Sequence, residues 1–305
     1  MEENLSYKVN DVISAFEKLP ETGKHEKIKN LHYFSNIGLE HIQGYTEYRN
    51  NGKIYYIFSH NTTGDYGYLL ISIGKDDKNT QTIKLKKGWE HPGGIQAIGR
   101  YIFIPCEKEN ESRIFIFDME TEKFVEPSTT IEFKHEGSCL GITDYEKDGT
   151  DYYFLLVGDH EKYYGYRAEV PSDMSQLKFE SLGSIDLKDK GYQNKEMNCQ
   201  GIGLVTDSKD GNIYMIGLMS YTSGFTYADW AYVIRITIDE NKSQITAKKV
   251  KERHLKNDGG ISGVDGSHFR WGAGITITPE GEFVILTTSR NIIAGTKLDT
   301  TFWAK

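Results

Sequence analysis

The chain has 305 residues, 38% hydrophobic and 12% aromatic, with 20 Tyr and 14 Phe; this is ordinary for a folded protein and leans towards strands, where aromatic and β-branched side chains fit best. A net charge of −8 argues against a nucleic-acid partner, because phosphate recognition needs clustered Lys and Arg. No apolar run reaches the length of a membrane span, and the start MEENLSYKVN is acidic where a secretion signal is basic and then apolar, so the expectation is a soluble chain, cytoplasmic or secreted with its signal removed.

In chain order, the first element is a short helix. Val9, Val12, Ile13, Phe16 and Leu19 recur at helical spacing, with Asn10 as the candidate cap and Pro20 just past the end. Residues 1–24 read as this helix and a linker, and residues 25–305 as a single domain of strands and turns. Hairpin signals are NNG from Asn50, DG at Asp148 and Asp210, and EG at Glu280.

Self-similarity organises that domain. The segments HIQGYTEYRNNGKIYYIFSHN from His41, HPGGIQAIGRYIFIPCEK from His91, HEGSCLGITDYEKDGTDYYFLLVGDH from His135, NCQGIGLVTDSKDGNIYMIGLMSY from Asn198 and RWGAGITITPEGEFVILTTSRN from Arg270 align as a Gly-containing strand, a turn and a longer apolar strand. They start about 45 to 70 residues apart, near the blade length of propellers. Third strands follow, and fourth strands such as TQTIKLKK from Thr80 and STTIEFK from Ser128 follow all but the last. The expected fold is therefore all-β, a five-bladed β-propeller whose last blade borrows an N-terminal strand, KIKNLHYFSN from Lys27 to Asn36, so that no sheet edge is left open. A sixth blade would need another Gly-rich inner strand, and the sequence holds none.

The runs HPGGIQ, NCQGIGLVTD, GNIYMIGL, YADW and FRWGAGI resemble those of poorly characterised bacterial β-propeller proteins whose repeats begin with a Gly-rich inner strand. The resemblance covers most of the chain beyond residue 40. It implies the fold and carries no activity.

Adjacent strands of a meander are antiparallel, so the start of each inner strand and the end of each second strand share one face. The starts place His41, His91, His135, Asn198 with Gln200, and Arg270 with Trp271 there. The second-strand ends add His60 with Asn61, Glu107, Asp159 with His160, Ser220 with Tyr221, and Arg290 with Asn291. Arg270 and Arg290 can clamp a carboxylate or phosphate, or pair with acids of a neighbouring blade. Trp271 and Tyr221 can stack on a sugar, or wedge between blades.

His41, His91 and His135 open three successive repeats, and neutral imidazole binds Zn, Cu, Fe and Ni. The alternative is that each His ties its strand to a neighbour. Two functions remain: a module binding a small polar ligand, such as a sugar or glycan, on the His/Arg face, or a hydrolase or lyase. In the second, those three histidines hold a divalent metal and Glu107, Asp159 or His160 handles the proton. A protein partner has no specific signature here. Cys106, Cys139 and Cys199 lack metal or disulfide spacing and read as buried hydrophobes. DYEKDG and DSKDG lack the spacing of a calcium loop, and GGISGVDG from Gly259 lacks the Lys-Ser/Thr of a phosphate loop.

Overall fold

A computed structural model describes residues 8–31, 33, 39–75, 80–126, 131–159, 162–186, 199–223, 226–239, 242–257, 266–292 and 297–305. It is nearly all β. Helix α1 (Val12–Glu17) precedes β1 (Lys24–Lys29), and five groups of strands follow. The first is β2 (Ile42–Asn50), β3 (Lys53–His60), β4 (Tyr68–Ile73) and β5 (Thr80–Lys84). The second is β6 (His91–Pro92), β7 (Gln96–Ile98), β8 (Tyr101–Lys108), β9 (Glu111–Asp118), β10 (Lys123–Phe124) and β11 (Ile131–Phe133). The third is β12 (Cys139–Lys147), β13 (Thr150–Asp159), β14 (Lys162–Glu169) and β15 (Glu180–Asp186), and the fourth β16 (Gly201–Thr206), β17 (Ile213–Ser223), β18 (Thr226–Asp239) and β19 (Gln244–Leu255). The last is β20 (His268–Ile277), β21 (Phe283–Thr288) and β22 (Lys297–Trp303).

Each group is an antiparallel meander. In the second, Gly93 and Gly94 interrupt the inner strand, so that β6 and β7 pair with successive stretches of β8, while β10 and β11 share the far edge of β9. The first and last groups join in one eight-stranded sheet through a parallel bridge, Gly44 to Ala273. β1 pairs with β22 from Lys24↔Phe302 to Lys29↔Lys297. The N-terminal strand thus occupies Lys24–Lys29 and overlaps the expected Lys27–Asn36 only at its start; residues 32 and 34–36 lie outside the described residues.

Apolar side chains on the sheet faces bury against the next group. Ile57, Leu69 and Ile71 meet Ile102, Ile104 and Phe117, and Phe154 and Leu156 meet Ile202, Leu204 and Met215. Ile42, Tyr45 and Phe58 of the first group meet Val284, Leu286 and Leu298 of the last, with Ile28 of β1 among them. The inner strands β2, β7, β12, β16 and β20 each touch the next, and β20 touches β2.

Their glycines permit this approach. A Cβ on Gly274 would lie 2.1 Å from the carbonyl oxygen of Tyr45, and one on Gly203 would lie 2.2 Å from Ile275 Cγ1. Between the inner strands the buried Gln96 side chain accepts from the N–H groups of Ile142 and Leu204, both at 2.9 Å, and donates to the Leu204 carbonyl at 2.9 Å. One amide thereby satisfies inward-facing backbone groups on two other strands.

The helix packs on the outside of the fourth and last groups. Val12 and Phe16 are fully buried with Phe269, Phe283 and Trp303. Its cap is Asp11, not Asn10: the Asp11 carboxylate accepts from the Ser14 N–H. Asp207 accepts from the N–H groups of Asp11 and Val12 at 3.1 and 2.8 Å, and the Arg253 guanidinium donates to the carbonyls of Phe16 and Leu19, both at 2.8 Å. These contacts satisfy the orphan backbone groups that so short a helix leaves at both ends.

Candidate functional site

The register brings inner-strand starts opposite second-strand ends: Ile42 faces His60, His91 faces Glu107, Cys139 faces Gly158, Gly201 faces Leu218, and His268 faces Thr288. On this face Trp271, 8% exposed, is a hub. His41 approaches it edge-on at 5.8 Å between ring centroids and Tyr227 at 6.3 Å; the guanidinium carbons of Arg290 and Arg270 lie 4.9 and 5.5 Å from its ring centre. Cations over an indole face gain from the ring quadrupole, and the stack holds the guanidinium planes in place. Arg270 also lies 5.7 Å from the Tyr227 ring, is exposed, and pairs with no acid among the described residues.

His91 extends the site. Gln43 Nε2 donates to His91 Nε2 at 3.0 Å, which puts the ring proton on Nδ1, 2.8 Å from Glu107 Oε1. That contact is close but poorly aligned for a hydrogen bond, so Nδ1 remains unsatisfied. Glu107 Oε2, His41 Nδ1 and Trp271 Nε1 are also buried without a hydrogen-bond partner among the described residues. Burial, followed in effect by Arg290, lowers the His41 pKa to about 4; His91, His60 and Arg270 act in the same direction. His41 is therefore neutral at pH 7.

Other expected residues are placed elsewhere or tied down. His135 stacks on Tyr164 with ring centroids 3.7 Å apart, and its nitrogens meet the Glu136 carbonyl at 2.6 Å and the Tyr166 hydroxyl at 3.1 Å. Its own group's third strand has captured it, with Asp159 nearby, so it does not join His41 and His91. The three-histidine metal site of the hydrolase alternative does not assemble among the described residues, where no group of three or more His, Cys, Asp or Glu side chains is arranged to hold a metal ion. His60 is fully buried, its Nδ1 donates to the Asn61 carbonyl at 2.6 Å, and burial lowers its pKa to about 4. Tyr221 turns towards the Tyr232 hydroxyl, 2.9 Å away, and packs in the core between the third and fourth groups. Gln200 is half-buried beside Gly94, while His160 and Asn198 lie outside the described residues.

Three contributors were not anticipated: Tyr227, Asp229 and His268. The start of a third strand adjoins the end of the second across their hairpin, so the same polarity rule that selected Ser220 points to Asp229, its partner in register. The Asp229 carboxylate accepts from the Ser220 hydroxyl, the Phe269 N–H, the Asn257 amide and His268 Nδ1, the last two at 2.9 Å. This leaves His268 Nε2 buried and unpaired, with the Tyr227 ring 5.0 Å away.

No protein-family model matches the sequence, and no curated protein does. Solved structures do match. The catalytic domain of a GH62 α-L-arabinofuranosidase from Coprinopsis cinerea superposes with a TM-score of 0.53 at 8% identity, over 93% of this chain and 98% of that one. A thermostable family-43 glycoside hydrolase gives 0.43 at 14% identity over 88% and 91%, and a GH43_1 enzyme from Xanthomonas citri complexed with xylose gives 0.45 at 11% over 87% and 86%. At such identities the likeness is one of fold, and the expected resemblance to bacterial proteins has no support in sequence matches. The chain has a β-propeller fold.

Proposed function

We propose that this protein is a binding module that holds a small carbohydrate on the face centred on Trp271. The ring has five blades in this reading, one per strand group, with β1 completing the last and residues 8–23 docked outside the domain that begins at Lys24. Cyclic contact among the five inner strands supports the count, and the β1–β22 pairing supports the closure.

The observation that carries the function is a pair of unsatisfied buried atoms on one aromatic platform, His41 Nδ1 and Trp271 Nε1, with Glu107 Oε2 also unsatisfied beside His91. Each costs about 1–3 kcal/mol while unpaired, and a polyhydroxylated ring supplies donors and acceptors to relieve them beside an indole edge. The GH62 neighbour, an arabinofuranosidase by name, uses the same fold, but fold alone does not transfer activity. Binding is favoured over glycoside hydrolysis because that chemistry uses two carboxylates flanking the bond. Glu107 has an unpaired oxygen, whereas Asp229 is occupied by four donors.

The test is a glycan array with wild type, His41→Gln and Trp271→Phe, the last keeping a ring but losing the N–H. Signals weakened about tenfold, the equivalent of one good hydrogen bond, with unchanged unfolding midpoints, are expected. Equal signals from all three proteins would remove this face from consideration.

A further inference from the structure

Asp229, near the start of β18, and His268, the first residue of β20, meet across the boundary between the fourth and last strand groups. Both are more than nine-tenths buried, at 2% and 4% exposure. A carboxylate only accepts, so the 2.9 Å contact of Asp229 Oδ2 with His268 Nδ1 puts the ring proton on Nδ1. The Asn257 amide lies 2.9 Å from the same nitrogen, but its two protons have two oxygens to serve, Asp229 Oδ2 and the Ser267 carbonyl. The tautomer is thereby fixed, and Nε2 carries a lone pair and no proton.

That lone pair is buried with no hydrogen-bond donor among the described residues, at a cost to the folded state. Locking the two strand groups together does not need it: an asparagine amide would donate to Asp229 and leave no ring nitrogen over. The imidazole stands against the half-buried Tyr227 ring, 5.0 Å between centroids, and Tyr227 stands against Trp271 at 6.3 Å. His268 therefore continues the aromatic wall of the Trp271 face. The unpaired atoms of that wall differ in polarity. Trp271 Nε1 only donates, and any ring or ether oxygen answers it; His268 Nε2 only accepts, and its partner must bring a proton.

We propose that His268 Nε2 accepts a hydrogen bond from a free hydroxyl of the bound carbohydrate, with Asp229 as the positioning residue that keeps the imidazole an acceptor. This rests on the reading of the face as a carbohydrate site. It narrows the ligand to sugars in which that hydroxyl is present and unsubstituted, because a deoxy or O-alkylated position has no proton to give.

The experiment is a cycle in which the hydroxyl is removed from the sugar and the nitrogen from the protein. His268→Asn suits it, since the amide still donates to Asp229 while Nε2 is gone. The full chain and this variant are titrated calorimetrically with the methyl glycosides of xylose, arabinose, galactose, glucose and mannose, then with the monodeoxy and mono-O-methyl derivatives of the tightest binder. At one position both derivatives are expected to bind wild type about tenfold more weakly than the parent sugar, and His268→Asn within about twofold of it. His254→Asn, at an exposed histidine of outer strand β19, should behave as wild type. Equal losses in wild type and His268→Asn at every position overturn the assignment and leave the carbohydrate reading intact. Binding of none of these glycosides by wild type defeats the carbohydrate reading, and this inference with it. If His268→Asn does not fold, nitrogen-15 spectra of histidine-labelled wild type decide. A proton on Nδ1 alone, and an Nε2 resonance shifted by the parent sugar but not by the critical deoxy derivative, are expected; a proton on Nε2, or an Nε2 resonance indifferent to the sugar, overturns the assignment.

Discussion

Replacing Gln96 tests whether the middle of the molecule is held by one side chain. Gln96→Met keeps the length and removes the amide, leaving the Ile142 N–H, the Leu204 N–H and the Leu204 carbonyl without their 2.9 Å partners. At about 1–3 kcal/mol for each buried backbone group left unpaired, offset in part by the apolar replacement, the expected loss is roughly 3–6 kcal/mol. That is a large share of the about 5–15 kcal/mol that holds a typical domain together. Denaturant unfolding followed by tryptophan fluorescence reads it as a lower midpoint. Gln96→Glu sharpens the test: the protonated acid can still donate to Leu204, so its loss of stability relative to wild type at the same pH should be smaller at pH 5 than at pH 8. If Gln96→Met unfolds within about 1 kcal/mol of wild type, the inner strands do not depend on this amide and the proposed energetics are wrong.

His60 and His41 make stability depend on pH. Both have folded values near 4 against an ordinary value of 6.5, so the unfolded chain binds more protons and stability falls as pH drops from about 6.5 to about 4. For the fully buried His60 the difference corresponds to at most about 3 kcal/mol, and His60→Asn should flatten the stability–pH curve there; an unchanged curve would contradict this. Phe16→Ala should cost about 3–5 kcal/mol by cavity formation, since the ring is fully buried against the last strand group; a loss under about 1 kcal/mol would mean that the helix is not docked. Cys106, Cys139 and Cys199 are buried, and burial raises their thiol pKa values, that of Cys199 to about 11. A thiol reagent should therefore label the native protein slowly at pH 8 and all three sites at once in denaturant; rapid native labelling would contradict the burial.

The Gly-rich inner strands were legible because their glycines answer a steric demand that any larger residue violates, as Gly203 and Gly274 demonstrate. Strand polarity likewise paired His91 with Glu107 and put Trp271 beside Arg270 and Arg290. The N-terminal strand was misplaced because a run of mixed polar and apolar residues fixes no register by itself; its position is set by Ile28 meeting Val284, Leu286 and Leu298. The partner that ties down His135, where a structural tie and a ligand role were both open, was hidden for a related reason. That stacking partner, Tyr164, lies on the third strand of the same meander, where repeat alignment looks only at the inner strand. The Asp229 lock escaped notice because its donors come from residues up to 40 positions away.

Pairing of Lys24–Lys29 with Lys297–Trp303 also sets the order of events during synthesis. β1 emerges well before its partner strand, His25 preceding Asp299 by 274 positions, which at ribosomal rates leaves it waiting on the order of tens of seconds. Through that interval it is an unpaired strand beside apolar surface destined for the core, exposed to wrong partners in other chains. Its sequence KHEKIK, with four cations and one acid counting His25 when protonated, suits that wait: like charges keep two such strands from pairing with each other. Contacts so distant along the chain also slow the final folding step, so refolding from denaturant should end in a slow phase that reports β22 meeting β1.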